Sequence, residues 1–491
     1  MSLLPHRLKL WLPAPTATSA PRYPANTEGL KGEFAPQYWG VSMRLNEYAR
    51  KIAVTLLLEG LKAVDPQRLI LERVKVEEGV LRAGGREQDV RNGVYVVALG
   101  KAAGEMARAV EELLGELVRA GVAAVPRGSP RVELRRVRVI EAGHPYPDEG
   151  SLEAARLALK LAQAARQEKL PLLVLISGGG SALMEMPAPG LTLDDLRRTT
   201  ELLLKAGATI DEINAVRKHL SAVKGGQLAA AAHPSPVLSL VISDVVGDRL
   251  DVIASGPTSP DPTTYSDARS VLERYGLLDK VPQAVLKVLE EGRKGERPET
   301  PKPGDPRLEG VANVVIGNNM TALLAMEAYA RRMGLNAVVL SSMIQGEARE
   351  VAKFLAAIAL EVKRSSVPVA PPAAVICGGE TVVTVRGRGR GGRNQEFALS
   401  AALQIEGVDG VAIAAMGSDG VDGPTDAAGA VVDGETILKA RRAGLDPLKF
   451  LDENNSYEFF KAVGGHIVTG PTGTNVNDFY LAVIVTEQVA W

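Results

Sequence analysis

The sequence predicts an α/β protein of two domains, each built on a mainly parallel sheet covered by helices. Three observations carry that expectation. Runs such as Val94 to Leu99 (VYVVAL), Leu172 to Ile176 (LLVLI) and Val237 to Ile242 (VLSLVI) are apolar almost throughout instead of alternating, as strands buried on both faces are. Helical patterns of about ten or more residues separate them, the crossovers that parallel strands require. At 491 residues the chain is too long for one ordinary core, so it is expected to divide.

The elements follow in order. Residues 1–42 are punctuated by Pro5, Pro13, Pro15, Pro21, Pro24 and Pro36 and show no helical or strand period, which predicts a disordered extension, with Met43 as an alternative start. The apolar Leu10-Trp11-Leu12 is too short for a secretory segment, which wants about seven residues or more. A Rossmann-like domain is expected over 43–290. Its helix carries Leu45, Ala49, Ile52, Leu56 and Val64 on one face and stops at Asp65-Pro66. Strand Val94 to Leu99 leads into an alanine-rich helix to about Ala120. Strand Val137 to Glu141, helix Ser151 to Ala165 and strands Leu172 to Ile176 and Val237 to Ile242 come next.

The charged, Pro/Gly-rich stretch 291–309 has little to bury and is expected to be a linker or exposed loop. A second α/β domain is expected over 310–491. It takes strand Val311 to Ile316, a helix near Ala322 to Met333, strand Ala337 to Leu340 and helix Glu347 to Val362. A hairpin-like pair of strands from Ala373 to Val385, a helix to about Leu403 and strands Val411 to Ala415 and Tyr480 to Val485 complete it.

Composition removes several function classes. Lys+Arg 57 against Asp+Glu 58 gives a net charge of -1, so no global attraction to nucleic acid or an anionic membrane is expected. No apolar run approaches the roughly 20 residues of a membrane helix. Cys377 stands alone and His6, His144, His219, His233 and His466 lack metal-ligand spacing, which excludes a disulfide framework and a cysteine-rich zinc site. A reducing cytoplasm is the expected compartment.

The densest chemical signal is Arg386-Gly-Arg-Gly-Arg-Gly-Gly-Arg393 running into a helix at Asn394-Gln395-Glu396. Guanidinium groups, bare backbone amides and a helix N-terminus each attract phosphate. Gly387, Gly389 and Gly392 also satisfy G-x-G-x-x-G, leaving a dinucleotide reading open, though intruding arginines fit it poorly. An RNA-binding reading is weaker still, since aromatics for stacking make up only 4% of the chain. Ser177-Gly178-Gly179-Gly180-Ser181 follows strand LLVLI, where glycines expose amides to an anion. Lys101 takes the matching place after VYVVAL. Its charge opposes the dipole of the helix it opens, a conflict an anionic ligand would relieve.

Carboxylates gather at strand ends: Asp244 and Asp248 after LVIS, Asp419 and Asp422 in GSDGVDGPTD, and Glu380 after Gly378-Gly379. Hard oxygen donors beside phosphate-type loops suit Mg²⁺, and ordinary turn chemistry is the plainer alternative. Arg217 and Lys218 offer cations for a small acidic substrate, or an exposed basic face.

In this order VVALGKAA, GHPYPDEGS, LISGGGSALM, INAVRKHLSAVKGGQLA, VISDVVGD, ASGPTSPDPTTYSDA, GGETVVTV with RGGRNQE, and GSDGVDGPTDAAGA resemble the glycerate kinase family that forms 2-phosphoglycerate. The resemblance spans roughly Leu45 to Val485, and the family calls its C-terminal part, about 371–485 here, the MOFRL domain. Ser418 replaces the usual threonine and keeps the hydroxyl, while residues 1–42 have no counterpart. The resemblance implies an active site in an interdomain cleft, ATP as phosphoryl donor, Mg²⁺, and D-glycerate as acceptor. Lys101 and Arg393 are the catalytic residues it implies. Ser177–Ser181, Gly378, Gly379, Glu380, Asn394 and Gln395 are expected around the nucleotide. Arg217 and Lys218 are expected at the substrate, and Asp244, Asp248, Asp419 and Asp422 at the metal. A homodimer is left open. An older family label, hydroxypyruvate reductase, makes an NAD(P)H-dependent reductase the rival.

Overall fold

A strand with no polar face must be covered on both sides, and the chain meets that demand twice. The computed structural model describes residues 44–486, so the proline-rich 1–42 lies outside the described residues. The fold divides into a unit of Ala63–Asn318 with Gly473–Val476, and a unit of the described residues up to Lys62, Asn319–Thr472 and those from Asn477 onward.

In the first unit β1 (Val74–Glu77), β2 (Val80–Ala83) and β3 (Arg86–Asp89) form an antiparallel meander. The main sheet holds β4 (Val94–Leu99), β5 (Val118–Pro126), β6 (Val137–Ala142), β7 (Leu172–Ile176), β8 (Val237–Ile242) and β9 (Val311–Gly317). Every pairing in it is parallel and the order is β6-β5-β4-β7-β8-β9. β4, β7 and β8 are buried along their whole length. The helix Glu149–Glu168, opened by a reciprocal Asp148–Ser151 cap, lays Ala154, Ala155, Ala158, Ala162 and Ala165 against Val97, Leu99, Val122 and Val174. Alanine there lets helix and sheet approach closely, which suits a chain poor in aromatics. The helix Ala103–Leu114 stops short of the expected Ala120, because Gly115 turns the backbone at φ 51° and frees Val118 to begin β5.

A second core in this unit joins the helices Leu193–Lys205, Ile210–His219, Tyr265–Arg274 and Gln283–Arg293. Thr192, Thr209 and Thr264 cap the first three in reciprocal boxes with Asp195, Glu212 and Asp267. The stretch expected as a linker is tied down. Thr300 is buried, the Asp261 amide donates to the Pro301 carbonyl at 2.8 Å, and Glu299 accepts from the Tyr265 amide at 3.2 Å. Its charges find partners on the helices it crosses, which composition does not reveal. β9, expected to open the C-terminal domain, pairs with β8 instead.

The second unit carries β10 (Asn336–Glu347), β11 (Ala373–Val382), β12 (Val411–Gly417), β13 (Gly429–Asp433), β14 (His466–Ile467) and β15 (Asp478–Ile484), ordered β10-β11-β15-β12-β13-β14. Only β10 and β11 run parallel; the other pairings are antiparallel. The parallel expectation therefore describes the first sheet, and the second is mixed. A fully buried strand is apolar whichever way it runs, so β15, entering between β11 and β12, gave no sign of its direction. Ala373 to Val385, expected as a hairpin-like pair, is one strand followed by a loop. Gly379 (φ 148°) is no turn; a Cβ there would overlap the Ile344 backbone, so glycine permits close strand approach.

The helices Ala348–Ser365 and Arg393–Gln404 cover this sheet, with Phe397 stacked on Tyr480 at 4.5 Å and Cys377 buried in mid-strand. The helix Leu45–Ala63 belongs mostly here: Asn46 accepts from the Gly410 amide at 2.8 Å and Arg50 pairs with Asp433 at 3.1 Å.

Candidate active site

Where strand order reverses in an open parallel sheet, the loops leaving adjacent strands diverge and a crevice opens at their carboxyl ends. Here the reversal lies between β4 and β7. The loops concerned are Gly100-Lys101-Ala102 and Ser177–Ser181, the two stretches singled out for anion binding. They are laced together: the Lys101 amide donates to the Gly178 carbonyl at 2.8 Å, and the Ala102 amide to Ser177 Oγ at 3.0 Å. A side chain at Gly178 would overlap the Asp244 carboxylate beyond β8, so glycine lets that carboxylate reach the turn. A Cβ on Gly179 (φ 81°) would lie 3.0 Å from His144 Nε2 and 3.5 Å from Lys101 Cγ. Lys101, the glycine turn, Asp244 and His144 thus meet at one place.

The turn's hydroxyls have different tasks. Ser177 Oγ is buried, accepting from Ala102 and donating to the Leu99 carbonyl at 3.4 Å, so it joins loops and faces no ligand. The Gly180 amide bonds back to the Ser177 carbonyl at 3.3 Å. Ser181 lies 2.7 Å from Ser255, which donates to Asn214 at 2.9 Å.

Arg217 donates to the Ser181 carbonyl at 3.3 Å. Burial pulls its pKa down, with nearby Glu185 opposing. No carboxylate among the described residues forms a close ion pair with it, and a half-buried cation that is only partly compensated favours an anionic ligand. Lys224 joins the same carbonyl at 2.8 Å and pairs with Glu185 at 2.8 Å, while burial pulls its ammonium down to about 8. Lys218 points elsewhere. It is buried, with Asp261 at 3.4 Å and Asp251 at 3.6 Å, so its charge is answered inside the fold. Asp248, at φ 55°, accepts from Asn318 at 2.6 Å.

In the second unit the arginine loop departs from expectation. Its amides are occupied: those of Arg386 and Gly387 donate to Asn454 Oδ1 at 2.7 and 3.0 Å, that of Gly389 to the Glu453 carbonyl at 2.9 Å and that of Arg390 to Asn455 Oδ1 at 2.9 Å. Side chains on Gly387, Gly389 and Gly391 would strike residues 453–456. Glycines therefore face the protein while Arg386, Arg388 and Arg390 are exposed. The helix N-terminus is also filled. The Asp422 carboxylate accepts from the Asn394 and Gln395 amides at 3.0 and 2.9 Å and from Gln395 Nε2 at 2.9 Å. Burial pushes that carboxyl up to about 6 against the pull of those donors. Asn394, Gln395 and Asp422 thus form an internal cap, in place of the expected phosphate and metal sites.

Arg393 stands apart from that loop. Nε and Nη2 grip Asp478 at 2.5 and 3.0 Å, and Nη2 also meets Glu380 at 3.2 Å. Asp478 is fully buried at the start of β15 and accepts from Tyr480 and Asn394 at 3.0 and 3.1 Å. The forked contact holds the guanidinium rigid and raises its pKa despite burial. Its side chain keeps 36% of its surface exposed, so one edge remains presentable to a ligand. Burial raises the Glu380 carboxyl, with Arg393 opposing. A Cβ on Gly378 would overlap Asn319, so this glycine too serves packing. Asp419 Oδ1 accepts from the Val421 amide at 3.1 Å in its own turn.

A family model described as the MOFRL family matches residues 373–478, and one described as a domain of unknown function (DUF4147) matches residues 52–290. The chain is 47% identical over 440 residues to the glycerate 2-kinase of Pyrococcus horikoshii, covering 89% of this chain and 98% of that protein. The chain belongs to the glycerate kinase family. It is an enzyme, a kinase. A solved structure of glycerate kinase from Thermotoga maritima superposes with a TM-score of 0.80 at 42% identity, over 89% of this chain and all of that one. A relative from Agrobacterium vitis, 43% identical over 80% of this chain and 88% of its own length, is named "Putative hydroxypyruvate reductase".

Sequence reading passed over Asp478, Glu185 and the Ser181–Ser255–Asn214 chain. The first left a trace: in Asn477-Asp478-Phe479 a carboxylate opens an otherwise wholly apolar strand, a place where burial demands a partner. The others come from separate elements and share no spacing.

Proposed function

We propose that the chain transfers the γ-phosphoryl group of ATP to the 2-hydroxyl of D-glycerate, giving 2-phosphoglycerate and ADP in the cytoplasm. The observation that carries this reading is the strand-order reversal, where Lys101, the glycine turn and Asp244 meet and Arg217 bonds to the turn's Ser181 carbonyl. Phosphoryl transfer asks for positioning and charge neutralisation more than covalent chemistry. In this reading Lys101 and Arg393 neutralise charge on the transferring group. The Gly178–Gly179 turn supplies close backbone approach, and Arg217 binds the glycerate carboxylate with Lys224 behind it.

Among the described residues no group of three or more His, Cys, Asp or Glu side chains is arranged to hold a metal ion. A Mg²⁺ ion bound chiefly by phosphate oxygens needs only one or two carboxylates, and Asp244, whose access to the turn Gly178 preserves, fits that part. Bound there, the ion would supply charge neutralisation at the phosphates. Asp248 and Asp419 are the remaining candidates, each already bonded locally.

The test is glycerate-dependent ADP release with Mg²⁺, the product's phosphate position being read by NMR. Lys101→Ala and Arg393→Ala should lower turnover by about 10³-fold or more, on the scale of arginine-finger losses. Near-normal turnover in either variant removes that residue from the mechanism.

The reductase reading has the Agrobacterium relative's name in its favour. Against it, Gly387 and Gly389 of the G-x-G-x-x-G pattern pack on Glu453 and Asn455, Gly392 packs on Asp422, and the Asp422 carboxylate fills the helix end where a pyrophosphate would sit. NADH oxidation with hydroxypyruvate and no ATP would establish it instead.

A further inference from the structure

We propose that His144 is a further catalytic residue, the general base that takes the proton from the acceptor hydroxyl. The proposal rests on the kinase reading above. Its ring borders the glycine turn at the strand-order reversal, with Nε2 3.0 Å from the position a Cβ on Gly179 would take and Lys101 Cγ 3.5 Å from the same point. Neither ring nitrogen makes a hydrogen bond within the described residues, whereas the His219 ring is engaged on both sides, by the Ala215 carbonyl at 2.7 Å and Glu299 at 2.9 Å. An imidazole unclaimed by its own fold, beside a lysine and an anion-type turn, is free to meet a ligand.

The loop that carries it is held firmly. The Asp148 carboxylate accepts from the Ser151 amide at 3.1 Å to cap the helix Glu149–Glu168 and pairs with Arg127 at 2.5 Å. Arg197 Nε donates to the Pro147 carbonyl at 2.6 Å. Charged groups around this corner are Lys101 from the loop after β4, Asp244 behind the turn and Asp148 on its own loop. The residue is exposed, yet partial desolvation of the ring and then the Lys101 charge push the imidazole below its ordinary pKa. It is therefore neutral at pH 7, the form that accepts a proton.

In the step, the hydroxyl oxygen bonds to the γ-phosphorus as the bridging P–O bond breaks, and ADP leaves with that bond's electron pair. The hydroxyl proton passes to Nε2, and the imidazolium then returns it to water.

The experiment compares wild type, His144→Gln and His144→Ala in glycerate-dependent ADP release across about pH 5 to 9, with thermal melts as the folding control. His144→Asn serves if glutamine disturbs the loop. The expected result is a loss in kcat of about 10²–10⁴-fold with KM for both substrates changed only a few-fold. The acid limb of the wild-type kcat/KM profile should vanish in His144→Gln, and free imidazole should restore part of the His144→Ala activity. A folded His144→Gln with near-normal kcat, or one keeping the acid limb, overturns the assignment. A wild type that releases no ADP with glycerate overturns the kinase reading and this one together, so the two failures are told apart.

Discussion

At residue 217 the fold half-buries a guanidinium that donates to the Ser181 carbonyl, and at residue 218 it surrounds a buried ammonium with two carboxylates. The consequences of deletion should differ in kind. Arg217→Ala removes a charge-assisted hydrogen bond to substrate, about 1.5–3 kcal/mol. KM for glycerate should rise roughly ten- to hundredfold while the melting temperature holds. Lys218→Ala strands the buried Asp261 and should cost about 3–5 kcal/mol of stability, seen in urea unfolding. Steady-state kinetics and denaturation on the two proteins check both outcomes. Sequence placed these residues in one basic group, because adjacency fixes only that they share a helix. Which way each points depends on Ser181 and Asp261, which come from other parts of the chain.

Elements show where pattern reading succeeds and where it fails. Continuous apolar runs found β4, β7 and β8 within a residue, since burial on both faces leaves no other composition open. The arginine-glycine loop misled because its glycines serve close packing and a carboxylate distant in sequence fills the helix N-terminus. Asp422→Ala should leave the Asn394 and Gln395 amides unpaired and cost about 2–3 kcal/mol, lowering the urea midpoint.

Another tether should show itself through pH. Burial alone would raise the Glu299 carboxyl, yet hydrogen bonds from the His219 ring and the Thr300 and Tyr265 amides hold it down at about 2. Its folded pKa lies below the unfolded one, so its stabilisation is complete above the ordinary carboxylate range and fades as pH falls towards 2. Glu299→Gln should be less stable than wild type at pH 7, with the gap narrowing from about pH 5 downward. A gap that stays constant over that range would refute the assignment.

For the molecule as a whole, the fold class was legible and the path of the chain was not. Alternating apolar runs and helices dictate layers of sheet and helix. They do not say which sheet receives β9, or that Gly473–Val476 belongs to the first unit while β15 lies in the second. The helix Leu45–Ala63 is the sharpest case, since it precedes the whole first unit yet packs mostly within the second. Removing residues 44–62 should leave the Gly410 amide and Asp433 without the partners Asn46 and Arg50 supply. The second unit should then melt at lower temperature, a shift that calorimetry would resolve.

Cys377, the chain's single thiol, lies in the middle of β11, where burial pushes it up to about 12. Thiolate is the reactive form, so oxidants and alkylating reagents should pass the folded protein by. That gives the native chain a built-in clock. The rate at which a maleimide captures this sulfur would measure how often the central strands of the second sheet come apart, with no engineered label needed.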